Sequence, residues 1–236
     1  MFDLTGRVAL VTGAGQNVGA GIACALAGQG AALAVNDFHA DRALRIAEEI
    51  NQAGGQAVAI PFDVTDLAAV TAGFDEATAR LGLVDVLVNN AGTGGPTEPM
   101  PMAKFADMGP EKWAPIIAVN LFGPMNCAKA AIGSMIDRRW GRIITISSGA
   151  GQIGMKIGVS PYAAGKAGAS GFMRHLAIEN ATPSMVSLST PFRSGLSWRT
   201  LGWSRRWPKL SRWAGWAHPP MSAHWRSTWP PTRHHG

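Results

Sequence analysis

Cysteine is scarce, with two in 236 residues, Cys24 and Cys127, far apart in apolar surroundings. That excludes a disulfide framework, leaves no thiol cluster for a metal, and suits a reducing cytoplasm. Long hydrophobic runs are also missing. No stretch approaches the ~18 uninterrupted apolar residues of a membrane span, and the start, MFDLTGRVALVTG, has no basic region ahead of an apolar one. A soluble, cytoplasmic chain is expected, with no membrane partner and no metal. The most telling shortage is local. Residues 183–236 contain no Asp or Glu, although the chain as a whole has 15.

What is present divides the same way. The net charge of +6 and pI near 9.9 would suit a nucleic-acid or membrane-surface partner, were the charge spread evenly. Residues 1–182 hold 13 Lys/Arg against the 15 acids, a net charge of −2. The last 54 residues hold seven Arg and Lys209, a net +8, with seven of the nine Trp and seven of the 15 Pro. Two compositions share one chain, so two parts are expected, 1–182 and 183–236. The 47% hydrophobic, 15% charged balance of the whole chain is that of a globular protein rather than a collagenous or disordered one.

From Arg7 to Glu179, short β-branched apolar runs alternate with longer helical-period segments. The runs VALVT (8–12), AALAV (31–35), QAVAI (56–60), VDVLVN (84–89) and GRIITIS (141–147) read as strands. They are apolar on both faces, as parallel strands buried from both sides are. The fold class is α/β, a doubly wound parallel sheet of the Rossmann type.

The segment Thr12-Gly13-Ala14-Gly15-Gln16-Asn17-Val18-Gly19 closes the first strand and opens a helix. Glycines there let the backbone turn sharply and approach a pyrophosphate, which the helix amides and dipole stabilise. Gly13, Gly15, Asn17, Val18 and Gly19 are the candidate phosphate contacts. Asp37 ends the second strand 18 residues beyond Gly19, where a carboxylate accepts hydrogen bonds from a ribose diol and repels a 2′-phosphate. NAD rather than NADP follows, with Arg42 and Arg45 near enough to soften the preference.

Further motifs come in order: Asp63-Val64 after the third strand, Asn89-Asn90-Ala91-Gly92 ending the fourth, Asn120 in VNLFG, Ser147-Ser148 after the fifth, and Tyr162-Ala-Ala-Gly-Lys166. Jointly, across about 1–182, they resemble the short-chain dehydrogenase/reductase family. The resemblance implies hydride transfer between nicotinamide and a secondary alcohol or ketone, 3-oxoacyl compounds among the candidates. Asp63, Val64, Asn90, Ala91 and Gly92 would line the cofactor, and Asn120, Ser148, Tyr162 and Lys166 would be catalytic.

A tyrosine, ordinarily titrating near ~10, is a poor base at neutral pH unless a cation steadies its phenolate. Tyr162 and Lys166 stand at i and i+4, on one helix face. By resemblance, Tyr162 exchanges the proton with the substrate oxygen, Lys166 steadies it and holds the nicotinamide ribose, and Ser148 polarises the carbonyl. Asn120 would hold a water of the proton relay. Singly, each has a plain structural explanation; none accounts for the set. Ser148 is preferred to Ser147, since strand neighbours point to opposite faces.

Two departures stand out. Asn17 occupies a position where the family usually has glycine, and asparagine is the next-best residue at positive φ. Ser148 and Tyr162 are 14 apart, one more than the family pattern, which implies an inserted residue between them. Segment 92–110, rich in Gly and Pro, is expected to form an active-site rim. The resemblance implies a homodimer through the helices near 111–138 and 160–180, whereas a tetramer, which in the family also uses the C-terminal strand, is not expected.

The tail fits none of this. Its Trp/Arg/Pro mixture shows no strand alternation or amphipathic period, so the C-terminal strands of the sheet are expected to be missing or disordered. Shifting the reading frame restores sense: Met185-Val186, Trp213-Ala214 and Trp216-Ala217 each force glycine, and Trp229-Pro230 forces alanine. Residues 185–193 then permit GVTVNTVS, like the family's sixth strand, and 213–236 permit its last helix. A frame change near codons 180–185 is the reading. The alternative function is a remnant that at most binds the dinucleotide. Nucleic-acid binding through the basic tail is not expected, because the frame change explains the same residues.

Overall fold

The computed structural model describes residues 3–93 and 100–180 and the backbone of strand 185–190. The chain divides into two units, Met1–Arg193 and Ser194–Gly236, and the second lies outside the described residues. The sequence division at 182/183, the altered reading frame and any strand after 190 likewise fall there.

Six strands form one parallel sheet in the order β3-β2-β1-β4-β5-β6. They are β1 (Val8–Val11), β2 (Ala32–Val35), β3 (Gln56–Ala59), β4 (Val86–Asn89), β5 (Gly141–Ile146) and β6 (Met185–Thr190). The first five fall within two residues of the expected runs. Their two-sided apolarity is used as read: Val8 and Leu10 enter one core with Leu87 and Ile143, whereas Ala9 and Val11 enter another with Leu33, Val35 and Val88. The second core is closed by α1 (Asn17–Gly28) and α2 (Ala40–Gln52). Ala43, Ile46, Ala47 and Ile50 repeat at the spacing of one helix face and are buried there.

On the opposite face lie α3 (Leu67–Leu81), α5 (Gly123–Asp137) and α6 (Ser160–Glu179), contributing Val70 and Phe74, Cys127 and Met135, and Met173. Asp66 caps α3, accepting from the amides of Ala68 at 2.8 Å and Ala69 at 3.2 Å. Between β4 and α5 the chain forms α4 (Pro110–Ile117) and a π-helical turn, Ala118–Phe122. The continuous run Pro110–Asp137 has the length and apolarity of a membrane span. Here it packs Val119, Cys127, Ala128, Ala131 and Met135 into the core, the arrangement of a core helix.

At the N-terminal edge of the sheet, buried Asp85 accepts from the Val8 amide at 3.0 Å and pairs with Arg138 and Arg7. This joins the starts of β1 and β4 to the end of α5. At the opposite edge, the chain winds outward from β1 through β2 to β3 and then returns to β4. The strand order therefore reverses between β1 and β4, and their C-terminal ends open the crevice where doubly wound sheets bind ligands.

One expectation changes. No strand was expected after α6, yet Met185–Thr190 pairs in parallel with β5, from Gly141↔Met185 to Ile146↔Thr190. The hexapeptide MVSLST alternates apolar and small polar residues around a β-branched Val, a short strand pattern hidden within an otherwise unstructured-looking composition.

Candidate active site

The glycine turn leaves β1 with Gly13 at φ +60°, a conformation that favours glycine. Gly19, in the first turn of α1, is buried, and a Cβ there would overlap the Gly13 carbonyl and come within 2.5 Å of the Asn90 amide. The turn closes only because that atom is missing. Asn17 stands at φ +49°, so asparagine does take the left-handed position. The N-cap residue, Gln16, forms no side-chain cap, and the first turn carries no acid. Its amides are thus left for an anion.

Asp37 is buried at the end of β2. One carboxylate oxygen accepts from the Gly15 amide and the other from the His39 amide, both at 3.0 Å. A Cβ on Gly15 would stand 2.6 Å from that carboxylate, so the turn and Asp37 meet directly. Arg45 reaches from α2 to donate to the Gly15 carbonyl at 2.7 Å, and its other arm pairs with Glu49 at 2.8 Å.

From β4, Asn90 braces the same turn: its side-chain amide donates to the carbonyls of Thr12 at 2.9 Å and Gly13 at 3.0 Å. Thr12 Oγ1 in turn accepts from the amides of Asn90 and Ala91, each at 3.0 Å. Asn90 and Ala91 therefore hold the turn's shape. Asp63 accepts from the Thr65 amide and hydroxyl at 2.8 Å, ordering the exit from β3, and Val64 is buried against Gly123.

Asn120 lies in the π-helical turn and is fully buried. Its Nδ2 donates to the Ile116 carbonyl at 2.9 Å and to the Thr93 carbonyl at 2.7 Å, while Oδ1 accepts from the Thr93 amide at 3.4 Å. A side chain thus takes a carbonyl that the widened helix leaves over, as π-bulges at functional sites permit. Thr93 is held at φ +119°, a strained conformation for a β-branched residue.

After β5 the two serines part. Ser147 is buried, its hydroxyl 3.0 Å from that of Ser170 on α6. Ser148 is half-buried and accepts from the Ala150 amide at 3.2 Å, starting a 3-10 turn over Gly149–Gly151. Tyr162, the only tyrosine of the chain, is half-buried in the first turn of α6. Lys166 is buried one turn later, with Nζ 5.8 Å from the Tyr162 ring centroid and donating to the Ile146 carbonyl at 2.9 Å. Burial pushes its ammonium down to about 8, because desolvation disfavours the charge.

Gly92 brings these groups together. A Cβ on it would lie 2.8 Å from Asn120 Oδ1 and 2.9 Å from Lys166 Nζ. The structure therefore gathers Gly92, Asn120 and Lys166 at one point, with Tyr162 above Lys166, and gathers Gly13, Gly15, Asn17, Val18, Gly19 and Asp37 at another. Segment 94–99 of the expected rim lies outside the described residues. The sequence reading missed Thr93, the bracing role of Thr12, and the grip of Arg45 on Gly15, although it placed Arg45 near the ribose end. Thr12 sits inside the glycine motif and Thr93 directly follows Asn-Asn-Ala-Gly, which were the available signals; nothing local marks the reach of Arg45.

A family model described as short chain dehydrogenase matches residues 7–189. A 7alpha-hydroxysteroid dehydrogenase of Escherichia coli is 38% identical over 177 residues, covering 75% of this chain and 66% of the relative. The chain thus spans just under two thirds of that relative's length. Among solved structures, a gluconate 5-dehydrogenase from Burkholderia cenocepacia, in complex with NADP and tartrate, superposes with a TM-score of 0.73 at 34% identity. It covers 81% of this chain and 73% of that one. A 7 alpha-hydroxysteroid dehydrogenase complexed with NADH and 7-oxo glycochenodeoxycholic acid gives the same TM-score and identity, over 79% and 70%.

Proposed function

This chain belongs to the short-chain dehydrogenase family, and we propose that it interconverts a secondary alcohol and a ketone with Tyr162 as the proton-exchanging group. The observation that carries this reading is the placement of Lys166 Nζ beneath the Tyr162 ring, with Asn120 and Gly92 beside it. The cradle of Gly13, Gly15 and Gly19 at an uncapped helix start fits a dinucleotide, with Asp37 at the ribose end. A nicotinamide dinucleotide, when bound, accepts or gives the hydride. The chain's own residues handle the rest. In the oxidative direction the Tyr162 phenolate oxygen takes the alcohol's O–H proton as the C–H hydride leaves. Ser148 donates to the same substrate oxygen, and the Lys166 ammonium stabilises the phenolate.

Tyr162→Phe tests this. Turnover should fall by about 10²–10⁴-fold while NADH affinity, read by fluorescence titration, stays within about twofold. Equal loss of both would overturn the role. The remnant reading instead requires a wild-type chain that binds NADH weakly or not at all and oxidises no secondary alcohol.

NAD is the proposed coenzyme, since relatives bind either form and the support comes from this chain's residues. Asp37 sets a negative charge beside the glycine turn, which would repel a 2′-phosphate brought there, and Arg45, one of the two nearby cations, is engaged by Gly15 and Glu49. NADPH titrating as tightly as NADH would overturn this. A homodimer is proposed through the helices of 111–138 and 160–180, where the π-helical turn exposes Phe122, α5 exposes Met125 and Ile136, and α6 exposes Ile178; a monomer in sedimentation would count against it. A reducing cytoplasm suits the two free thiols, Cys24 and Cys127. The change of frame near codons 180–185, dividing 1–182 from 183–236, is proposed on composition and forced codons. Sequencing the gene tests it, and an alternate frame that fails to encode the expected strand and helix overturns it.

A further inference from the structure

Two loops beside Ser148 and Tyr162 turn apolar side chains to solvent. The chain passes from Ser148 through its 3-10 turn, exposes six consecutive residues, 152–157, and turns inward only at Val159, just before α6. Ile153 is 65% exposed, Met155 42% and Ile157 48%. The second loop, 100–109, exposes Met102 at 71% and Phe105 at 57%. The loops are joined where the Ala103 amide donates to the Gly158 carbonyl at 3.1 Å. A Cβ on Gly158 would press within 2.7 Å of the Ala103 carbonyl.

Leaving large apolar side chains in water forgoes roughly 25 cal/mol per Å² of burial, and soluble proteins cluster them where something covers them. The occupant follows from connectivity. Ile153, Met155 and Ile157 lie on the stretch that joins Ser148 to Tyr162, the two groups flanking the reacting oxygen, and the second loop is tied to its far end. A skeleton that reaches Tyr162 along this stretch would lie against these side chains. Among the described residues of the two loops the charged or amide side chains are Lys104, Asp107, Gln152 and Lys156, too few to match every hydroxyl of a polyol, each of which costs free energy when buried unpaired.

We propose that Met102, Phe105, Ile153, Met155 and Ile157 form an apolar collar that selects a fused-ring or long-chain secondary alcohol or ketone over a polyhydroxylated acid. The proposal rests on the dehydrogenase reading for the reacting end and adds the chemistry of the remainder. The collar takes no part in bond making; it sets which skeleton is held.

The test uses the full chain, with 2-decalone presented beside NADH and gluconate beside NAD+ as probes. Saturation-transfer NMR reads binding and nicotinamide absorbance reads turnover. 2-Decalone should bind at least about tenfold more tightly than gluconate. The triple variant Ile153→Ser, Met155→Ser, Ile157→Ser should weaken decalone about tenfold with NADH affinity unchanged, and Met102→Ser with Phe105→Ser should weaken it from the other loop. The collar is overturned if gluconate binds as tightly as decalone, or if both variants hold decalone as the parent does. Collar-dependent decalone binding without turnover of any alcohol or ketone keeps the collar and overturns the dehydrogenase reading. Turnover of gluconate with no decalone binding does the reverse.

Discussion

The two halves of the crevice are built on opposite principles. Around the end of β1 the site is made by leaving atoms out: Gly13, Gly15 and Gly19 bring backbone within reach of backbone and of Asp37, and the turn itself offers main-chain groups to the side chains that brace it. Around the ends of β4 and β5 it is made by burying side chains, Asn120 fully and Lys166 nearly so, each needing a specified partner. The first half is intolerant of added volume. The second is sensitive to lost or displaced polar atoms, because a buried polar group without its partner is costly.

Gly19→Ala breaks the first half hardest. The new methyl group would collide with the Gly13 carbonyl and the Asn90 amide, which are hydrogen-bonded to each other, so the turn must open. NADH affinity should fall by about a hundredfold or more in a fluorescence titration, with a lowered melting temperature. Retention of tight NADH binding would show that the turn adapts and that the contrast between the halves is overstated.

Gly92→Ala is the corresponding change in the second half. Its methyl group would meet Asn120 Oδ1 and Lys166 Nζ, the latter on a flexible stem, so displacement rather than collapse is expected. Turnover should drop by about ten- to a hundredfold, with NADH affinity reduced less than in Gly19→Ala. Equal losses in both variants would erase the distinction.

Much of this contrast could be read from the sequence, but unevenly. Strands of the Val8–Val11 kind announce themselves because both faces are apolar, and Tyr162 with Lys166 because a four-residue spacing fixes a shared helix face. Asn17 at positive φ follows from its side chain's tolerance of that conformation. Partners distant in sequence left no local mark. The grip of Arg45 on Gly15 spans 30 residues, and that of Arg138 on Asp85 spans 53, each created only by the packing of helix on sheet. The π-helical turn at Asn120 and the strained Thr93 depend on one another, so neither shows in its own neighbourhood. The strand 185–190 went unread, because its six residues are too short a pattern to stand out from the Trp/Arg/Pro-rich composition around them.

A smaller effect separates the halves by pH. Burial holds the Lys166 ammonium at about 8 against an ordinary 10.5, so between those values the unfolded chain binds the proton that the folded chain has released. Stability from this group therefore rises with pH through that window, by at most about 1.4 kcal/mol per pH unit, and is constant below it. Subtracting denaturation profiles of Lys166→Met from those of the parent isolates the slope. A flat difference between pH 8 and 10 would mean that the ammonium is solvated despite its buried position.

Asn17→Gly should have the smallest effect, and it probes the first half by removing volume instead of adding it. Asn17 sits at φ +49°, where glycine is at ease and asparagine pays only a modest steric penalty. Glycine relieves that penalty in the folded chain but gains freedom in the unfolded one, and it starts a helix less well. These terms oppose each other at about 0.5–1 kcal/mol apiece, so the melting temperature should move by only a few degrees. NADH affinity should stay within about threefold, since the turn presents backbone amides whichever residue carries them. A larger loss of affinity would mean that the Asn17 side chain itself touches the dinucleotide, making this one place in the glycine half where a side chain, not its absence, forms the contact.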